Sequence, residues 1–249
     1  MIAASVGFQC PDDVRAGAQG VRQPRTAFGG AVTTGSAVVT LSLVAVNALV
    51  YLVQLTQPDL AVRFGNLALA FDGRQLVGVA EGEYYRLLTA AFLHANVFHL
   101  LTNMFALFTV GPQLEAALGR SRFLVLYVLG ALGGSTLSYL LSTPGTVGVG
   151  ASGAVFALFG AFYVVVRRLG GETGPLVALI AINVVITFAV PIIDWRAHLG
   201  GLVTGALVAA SFAYAPRGSR RALVQGAGCA LVAALLVLAV VLRTDALAL

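Results

Sequence analysis

Uncharged apolar stretches alternate with short charged segments over most of the chain. A helix needs roughly 20 apolar residues to cross a bilayer core of about 30 Å, and each stretch has about that length. The pattern therefore predicts an all-α membrane protein, a polytopic bundle of seven transmembrane helices at about 36–55, 91–114, 123–142, 147–166, 174–193, 197–215 and 222–242.

Two segments depart from this pattern. Residues 1–35 are polar and contain no hydrophobic core of a signal peptide, so we expect a flexible tail. Residues 56–89 mix charges with Phe, Leu and Tyr, which is typical of a loop lying in the membrane interface. The domain prediction is therefore a tail at 1–35 and one membrane domain at 36–249, which includes the seventh helix at about 222–242.

The composition supports lipid as the main solvent. Hydrophobic residues make up 59% of the 249 residues and charged residues only 10%, against roughly 25% charged in soluble domains. A soluble enzyme, a disordered chain and a nucleic-acid-binding domain are therefore poor interpretations. The cationic residues are fifteen scattered arginines with no stripe that could follow phosphates, so no nucleic acid is expected as a partner.

The arginines also predict the orientation. With seven spans, ten of the fifteen lie on the side of the N-terminus, namely Arg15, Arg22, Arg25, Arg120, Arg122, Arg167, Arg168, Arg217, Arg220 and Arg221. Positively charged loops stay in the cytoplasm. We therefore expect a multi-pass protein of the cell membrane with a cytoplasmic N-terminus and an external C-terminus.

Polar side chains inside a span need an explanation, because lipid cannot hydrogen-bond to them. His99 and Asn103 are four residues apart near the start of the second span and share one helical face, with His94 just before them. Ser152 begins the fourth span between glycines, in Gly150-Ala-Ser-Gly153. Backbone N–H groups at a helix start are unpaired and can stabilise an oxyanion.

A third group opens the sixth span. His198 is followed by Gly201 and Gly205, and this spacing forms a smooth stripe that allows close helix packing. If the stripe packs on the small-residue face of the fourth span, Ser152 comes near His198.

Together these motifs resemble the rhomboid family of intramembrane serine proteases. The resemblance rests on Gly150-x-Ser152-Gly153, on the His198 motif with its two glycines, and on His94-x4-His99-x3-Asn103. A first-loop Glu83-x-Tyr85-Arg86 is similar to the Glu-x-Trp-Arg element of the family, with tyrosine in place of tryptophan. The resemblance covers the chain from about residue 36 onward.

The resemblance implies an intramembrane serine endopeptidase in which Ser152 is the nucleophile and His198 the general base. His99, Asn103 and the Ser152 backbone N–H would form the oxyanion hole. Phe156 takes the place of an aromatic ring that stacks on the catalytic histidine. The supporting residues would be Gly150, Gly153, Phe156, His94, Gly201 and Gly205. The resemblance implies no cofactor or metal. The partners would be single-span or polytopic membrane protein substrates within the lipid bilayer. The site would open to the external side.

Several residues have alternative interpretations. His94 either hydrogen-bonds within the first loop or takes part in catalysis, and we favour the first. Asp194, four residues before His198, suggests a Ser-His-Asp triad, but a helix N-cap is the better interpretation. A metal site is disfavoured because there is no His-Glu-x-x-His pair, and zinc would leave Ser152 without a role.

Other functional classes are also open to test. A non-catalytic rhomboid-like protein that binds membrane clients would share the bundle, although such relatives typically lack the serine or the histidine. A transporter would carry ionisable residues along a path through several spans, and these spans contain few.

The tail around Cys10 resembles the end of a zinc-ribbon without its second cysteine, so we interpret it as a possible remnant. Pro191 marks the fifth span as a candidate moving part.

Overall fold

A computed structural model describes residues 1–3, 5–19, 24–32 and 35–248. Its secondary structure is mainly helical, which confirms the predicted class of an all-α membrane bundle. The ten α-helices of the described residues are α1 (Pro11–Gln19), α2 (Val38–Thr56), α3 (Leu60–Phe64), α4 (Arg86–Thr89), α5 (Val97–Leu118), α6 (Arg120–Leu141), α7 (Ser152–Arg168), α8 (Gly174–Ala189), α9 (Trp195–Ala213) and α10 (Arg221–Ala248).

Seven of these helices, α2 and α5–α10, correspond one to one with the predicted spans. Four of them, α2, α5, α6 and α10, are long and apolar enough to cross a membrane by length and composition, and α8 is a shorter apolar helix. The count of seven spans therefore stays a prediction. Large apolar side chains are exposed on the outer helices, as expected of a surface that lipid covers, for example Phe105, Val185 and Leu231.

Several predicted boundaries differ in the structure, among them the end of the seventh span, which is Ala248 rather than about 242, and three of the differences have local reasons. The second span begins at Val97 rather than at about 91, because the Asn96 side chain caps α5 by accepting from the His99 N–H at 2.9 Å. The fourth begins at Ser152 rather than at about 147, because β6 (Val147–Gly148) pairs with a first-loop strand. The fifth ends at Ala189, two residues before Pro191, rather than at about 193.

The centre of the bundle is the contact between α7 and α9, where glycines let the two backbones touch. A β-carbon at Gly201 would lie 1.9 Å from the Gly153 carbonyl oxygen, and one at Gly205 would lie 2.0 Å from that of Ala157. No side chain larger than hydrogen fits at either glycine. Helix α6 packs on the same pair, with Gly134 against the Ala197 carbonyl.

A buried carboxylate attaches α2 to α5. Glu115 is 1% exposed and its two oxygens accept from the Val39 N–H at 3.0 Å, the Thr40 N–H at 2.8 Å and the Thr40 hydroxyl at 2.8 Å. These backbone groups belong to the first turn of α2, where helical N–H donors have no internal partner. The Glu115 carboxylate of α5 therefore completes the start of α2.

The first loop is folded rather than extended. It contains α3, α4 and the short strands β3 (Asn66–Leu67), β4 (Ala70–Phe71) and β5 (Leu76–Val77), with β3 paired to β6 and β4 to β5. Short 3₁₀ segments occupy Val79–Glu81 and Ala90–Phe92. This loop therefore ties the region before α7 to the region before α5.

The segment before α2 contributes three further elements. Strands β1 (Ile2–Ala3) and β2 (Phe8–Gln9) pair antiparallel, α1 follows, and Cys10 between them is exposed. Phe28 is 2% exposed, and its carbonyl accepts from the Gln225 side chain of α10 at 2.9 Å. Within the described residues no group of three or more His, Cys, Asp or Glu is placed to hold a metal ion. The domain division and the zinc-ribbon interpretation of residues 1–35 stay predictions.

Candidate active site

Ser152 is the first residue of α7 and follows a loop of unusual conformation. Gly150 has a φ of +135°, a region that side chains disfavour, and its N–H donates to the Ala90 carbonyl at 2.9 Å. A β-carbon at Gly150 would lie 2.8 Å from His99 Nε2 and 3.7 Å from Ser152 Oγ. Glycine is therefore required here because the loop passes between the imidazole of His99 and the hydroxyl of Ser152.

His198 is buried in the first turn of α9 and faces α7. Its imidazole stacks on the Phe156 ring with centroids 4.0 Å apart and planes 16° from parallel. Phe156 lies one turn after Ser152 on the same helix, so the stack holds the imidazole against the first turn of α7. The close approach of Gly201 to Gly153 sets the distance between the two helices.

The other side of the His198 ring is held by a residue of α8. The Thr187 hydroxyl lies 2.7 Å from His198 Nδ1 and 2.7 Å from the Asn183 carbonyl oxygen. A hydroxyl has one hydrogen, and the carbonyl can only accept it. Thr187 Oγ1 therefore accepts from an Nδ1–H group, which leaves the lone pair of His198 on Nε2.

Asp194 does not contact His198 through its carboxylate. One oxygen accepts from the N–H groups of Arg196 at 3.1 Å and Ala197 at 3.4 Å, which is the N-cap of α9. The other oxygen accepts from the Ser138 hydroxyl at 2.5 Å. The N-cap interpretation of Asp194 thus matches the geometry, whereas a triad does not.

His99 and Asn103 lie on one face of α5, as their spacing predicts. The Asn103 amide is buried and donates one hydrogen to the His99 carbonyl at 2.8 Å. An amide nitrogen carries two hydrogens, so a second donor remains. The His99 imidazole lies beside Gly150 and so approaches the loop that leads into Ser152.

His94 lies in the loop before α5 and is 2% exposed. Its backbone is held at both ends by Gln54 of α2, which accepts from the His94 N–H at 2.9 Å and donates to its carbonyl at 3.2 Å. The imidazole meets that of His99 edge-on at 5.2 Å, and within the described residues its nitrogens have no hydrogen-bond partner. His94 therefore packs against His99 rather than hydrogen-bonding through its ring.

The Glu83-x-Tyr85-Arg86 element forms an ion pair in the first loop between a buried arginine and a partly exposed glutamate. Arg86 Nε donates to Glu83 at 2.6 Å, and its Nη1 donates to the Val62 carbonyl at 2.7 Å. Burial alone would raise the pKa of the Glu83 carboxyl. The hydrogen bonds and charge of Arg86, together with the Gly78 N–H, outweigh burial and hold this pKa below its ordinary value.

Two residues of this region were missed by sequence reasoning, Thr187 and Gln54. Both are uncharged polar residues in apolar spans, and nothing in the local sequence marks their partners. Thr187 is four residues after Asn183, a spacing that signals a side chain bonded within its own helix. Its second contact, to His198, depends on how α8 packs against α9.

Comparison with known proteins locates the site within a family. A model described as the Rhomboid domain matches residues 81–215, which include Ser152, His198, His99 and Asn103. The putative rhomboid protease YdcA of Bacillus subtilis (strain 168) is 39% identical over 137 residues, a match that covers 53% of this chain and 69% of YdcA.

Two further relatives extend the comparison. The rhomboid protease AarA of Providencia stuartii is 29% identical over 212 residues, covering 73% of this chain and 75% of AarA. The rhomboid protease GluP of Bacillus subtilis (strain 168) is 36% identical over 151 residues, which cover 57% of this chain but only 29% of GluP. The matched domain and these identities show that the chain belongs to the rhomboid family of intramembrane serine proteases.

Proposed function

We propose that the protein is an intramembrane serine endopeptidase that cleaves transmembrane helices of other membrane proteins with a dyad of Ser152 and His198. The observation that carries this proposal is the stack of Phe156 on His198, which holds the imidazole over the first turn of α7. Ser152, His198 and the pair of His99 and Asn103 lie near the starts of α7, α9 and α5, respectively. The family match supports the reaction class, and the dyad is our assignment.

In the proposed reaction, Ser152 Oγ attacks the carbonyl carbon of the scissile peptide bond while His198 Nε2 takes the hydroxyl proton. The imidazolium then gives this proton to the leaving nitrogen as the C–N bond breaks. Water hydrolyses the resulting ester by the same route, with His198 again as base, and Ser152 regains its proton. No step uses a metal or a cofactor.

The tautomer of His198 determines whether this reaction can begin. Because Thr187 accepts from Nδ1–H, the free lone pair is on Nε2, which is the atom that the base must present to Ser152. Asp194 is occupied with the N-cap and Ser138, so we assign the role of orienting the histidine to Thr187 rather than to a carboxylate.

The oxyanion hole is assigned to His99, the second Asn103 hydrogen and the Ser152 backbone N–H. The N–H of the first residue of a helix has no acceptor inside that helix, so it is available to the tetrahedral oxygen. Gly150 keeps the space between His99 and Ser152 free of a side chain.

The orientation follows from where the charges lie. Ser152 begins α7, whereas Arg167 and Arg168 end it, so the site is at the opposite end of the bundle from the arginine-rich turns. By the positive-inside rule the site opens to the external side and the N-terminus is cytoplasmic. A substrate helix must unwind locally there, because its peptide bonds are otherwise held in the helical hydrogen-bond ladder.

The test is cleavage of a single-span reporter by the purified protein in liposomes, together with labelling by a fluorophosphonate that reacts with activated serines. Wild type is expected to cleave the reporter and to be labelled by the fluorophosphonate, whereas Ser152→Ala and His198→Ala should show neither cleavage nor labelling. Ser211→Ala is the matched control, because its hydroxyl bonds to the Val208 carbonyl away from the site.

Cleavage that survives Ser152→Ala would overturn the dyad. If wild type binds the reporter but neither cleaves it nor is labelled, the result would instead support the alternative of a non-catalytic protein that binds membrane clients.

A further inference from the structure

A cleft at the end of the bundle opposite Ser152 has no part in the proposed reaction. It lies where the ends of α7 and α9 meet the turn before α10, and it is partly open to solvent. Three arginines line it, Arg168, Arg217 and Arg221, together with the apolar residues Phe28 and Leu169.

The arginines keep unused donors. Arg168 Nε donates to the Ala213 carbonyl at 3.0 Å, and its guanidinium lies 5.7 Å from the Tyr214 ring centroid. Arg221 donates from Nη2 to the Ala27 carbonyl, while its Nε is buried without a partner among the described residues. Each guanidinium carries five N–H donors, so most of the donors at this cleft are free for a ligand.

The charge of the cleft is not balanced within the described part of the chain. No carboxylate lines the cleft, and none of the ion pairs found among the described residues involves its three arginines. Three like charges around one concave space repel each other, and the repulsion is stronger where protein and lipid lower the dielectric. An anion in the cleft would remove this repulsion.

The surroundings indicate what kind of anion fits. The predicted spans place the ends of α7 and α9, where the cleft lies, at the depth of lipid headgroups. Leu169 at the cleft is 58% exposed and Tyr214 beside it is 61% exposed, so an apolar and an interfacial side chain stand next to the cations. Guanidinium groups bind phosphate oxygens through paired N–H donors.

We propose that this cleft binds the phosphate group of an anionic phospholipid from the surrounding leaflet. Arg217 and Arg168 would contact the phosphate, with Arg221 Nε at the back of the cleft and the acyl chains beside Leu169. The inference does not depend on the protease assignment, because the cleft and Ser152 lie at opposite ends of α7.

The test uses the full chain in a zwitterionic detergent and measures binding of dioctanoyl phosphatidylglycerol, dioctanoyl phosphatidylcholine and inorganic phosphate by native mass spectrometry. Phosphatidylglycerol is expected to bind at least about tenfold more tightly than either other probe. Arg217→Gln should weaken its binding by about tenfold or more, and this exposed side chain carries no hydrogen bond within the described residues that folding would lose.

Arg220→Gln is the matched control, since it removes the same charge from the same turn but does not line the cleft. It should change binding by no more than about twofold. Equal binding of the two lipids would overturn the proposal. An equal loss of phosphatidylglycerol binding in Arg217→Gln and Arg220→Gln would overturn it as well. Inorganic phosphate that binds as tightly as phosphatidylglycerol would overturn the lipid as the occupant.

Discussion

The Phe156 ring stacks on the His198 imidazole with centroids 4.0 Å apart and planes 16° from parallel, and this contact links the helix that carries Ser152 to the helix that carries His198. The stack fixes the plane of the imidazole, whereas Thr187 fixes its rotation by bonding to Nδ1. Two contacts from two different helices therefore determine where Nε2 points.

Removing the aromatic ring is expected to slow cleavage. Phe156→Ala should lower kcat by about two- to thirteenfold, because a stacked pair is worth about 0.5–1.5 kcal/mol and its loss lets the imidazole tilt. Phe156→Tyr keeps the ring and should retain most activity. Reporter cleavage in liposomes measures both. An alanine variant as active as the tyrosine variant would contradict an orienting role for the stack.

The Thr187 hydroxyl is expected to matter for the rate rather than for substrate binding. Thr187→Val keeps the shape and should lower kcat by about two- to tenfold with KM unchanged, while Thr187→Ser should restore it. Thr109→Val is the matched control, because Thr109 makes the same bond to its own helix, at 2.7 Å to the Phe105 carbonyl, without a histidine partner. Equal kcat values for the two valine variants would contradict the assigned tautomer.

Asp194 is expected to affect stability and not the chemistry. Asp194→Ala removes the N-cap of α9 and should lower the free energy of unfolding by about 0.5–2 kcal/mol. The kcat of the folded variant should stay near that of wild type, because neither carboxylate oxygen bonds to His198. Thermal unfolding and reporter cleavage measure the two effects separately. A loss of kcat by a factor of about a thousand or more would indicate a triad instead.

The α7–α9 contact is expected to tolerate no added methyl group. Gly201→Ala places a β-carbon 1.9 Å from the Gly153 carbonyl oxygen, so the helices must separate and the stack on His198 must break. Activity and the midpoint of thermal unfolding should both fall sharply. Gly226→Ala in α10 is the matched control: nothing lies within 4 Å of its added carbon, so it should be neutral or stabilising by up to about 1 kcal/mol.

The first loop is expected to become less stable in acid. The pKa of Glu83 is lower in the folded protein than in the unfolded chain, so its ion pair contributes stability above the unfolded value of about 4.3. This contribution is lost as the pH falls through the lower, folded pKa. Thermal unfolding of wild type and Glu83→Gln should differ at pH 7, and the difference should shrink as the pH falls below about 4.3. A difference that is constant with pH would contradict the ion pair as the cause.

Much of the site was predictable because its residues mark helix ends. The pairs His99 with Asn103 and Gly201 with Gly205 have helical spacing, and the glycines around Ser152 indicate an exposed helix start. The helix starts themselves were less predictable. The apolar pattern continues through the Ala90–Phe92 segment and through β6, and only the Asn96 cap and the pairing of β6 with β3 end it.

By itself the sequence determined the membrane class, the order of the long helices and the helix faces that carry the polar residues, since all three follow from local composition and periodicity. The tertiary structure decided which neighbour each polar group meets: Thr187 rather than Asp194 for His198, Ser138 for Asp194, and the first turn of α2 for Glu115. Periodicity assigns a side chain to a face of its own helix. The packing of non-adjacent helices then selects its partner, because a buried hydrogen-bonding group without a partner within about 3 Å costs free energy.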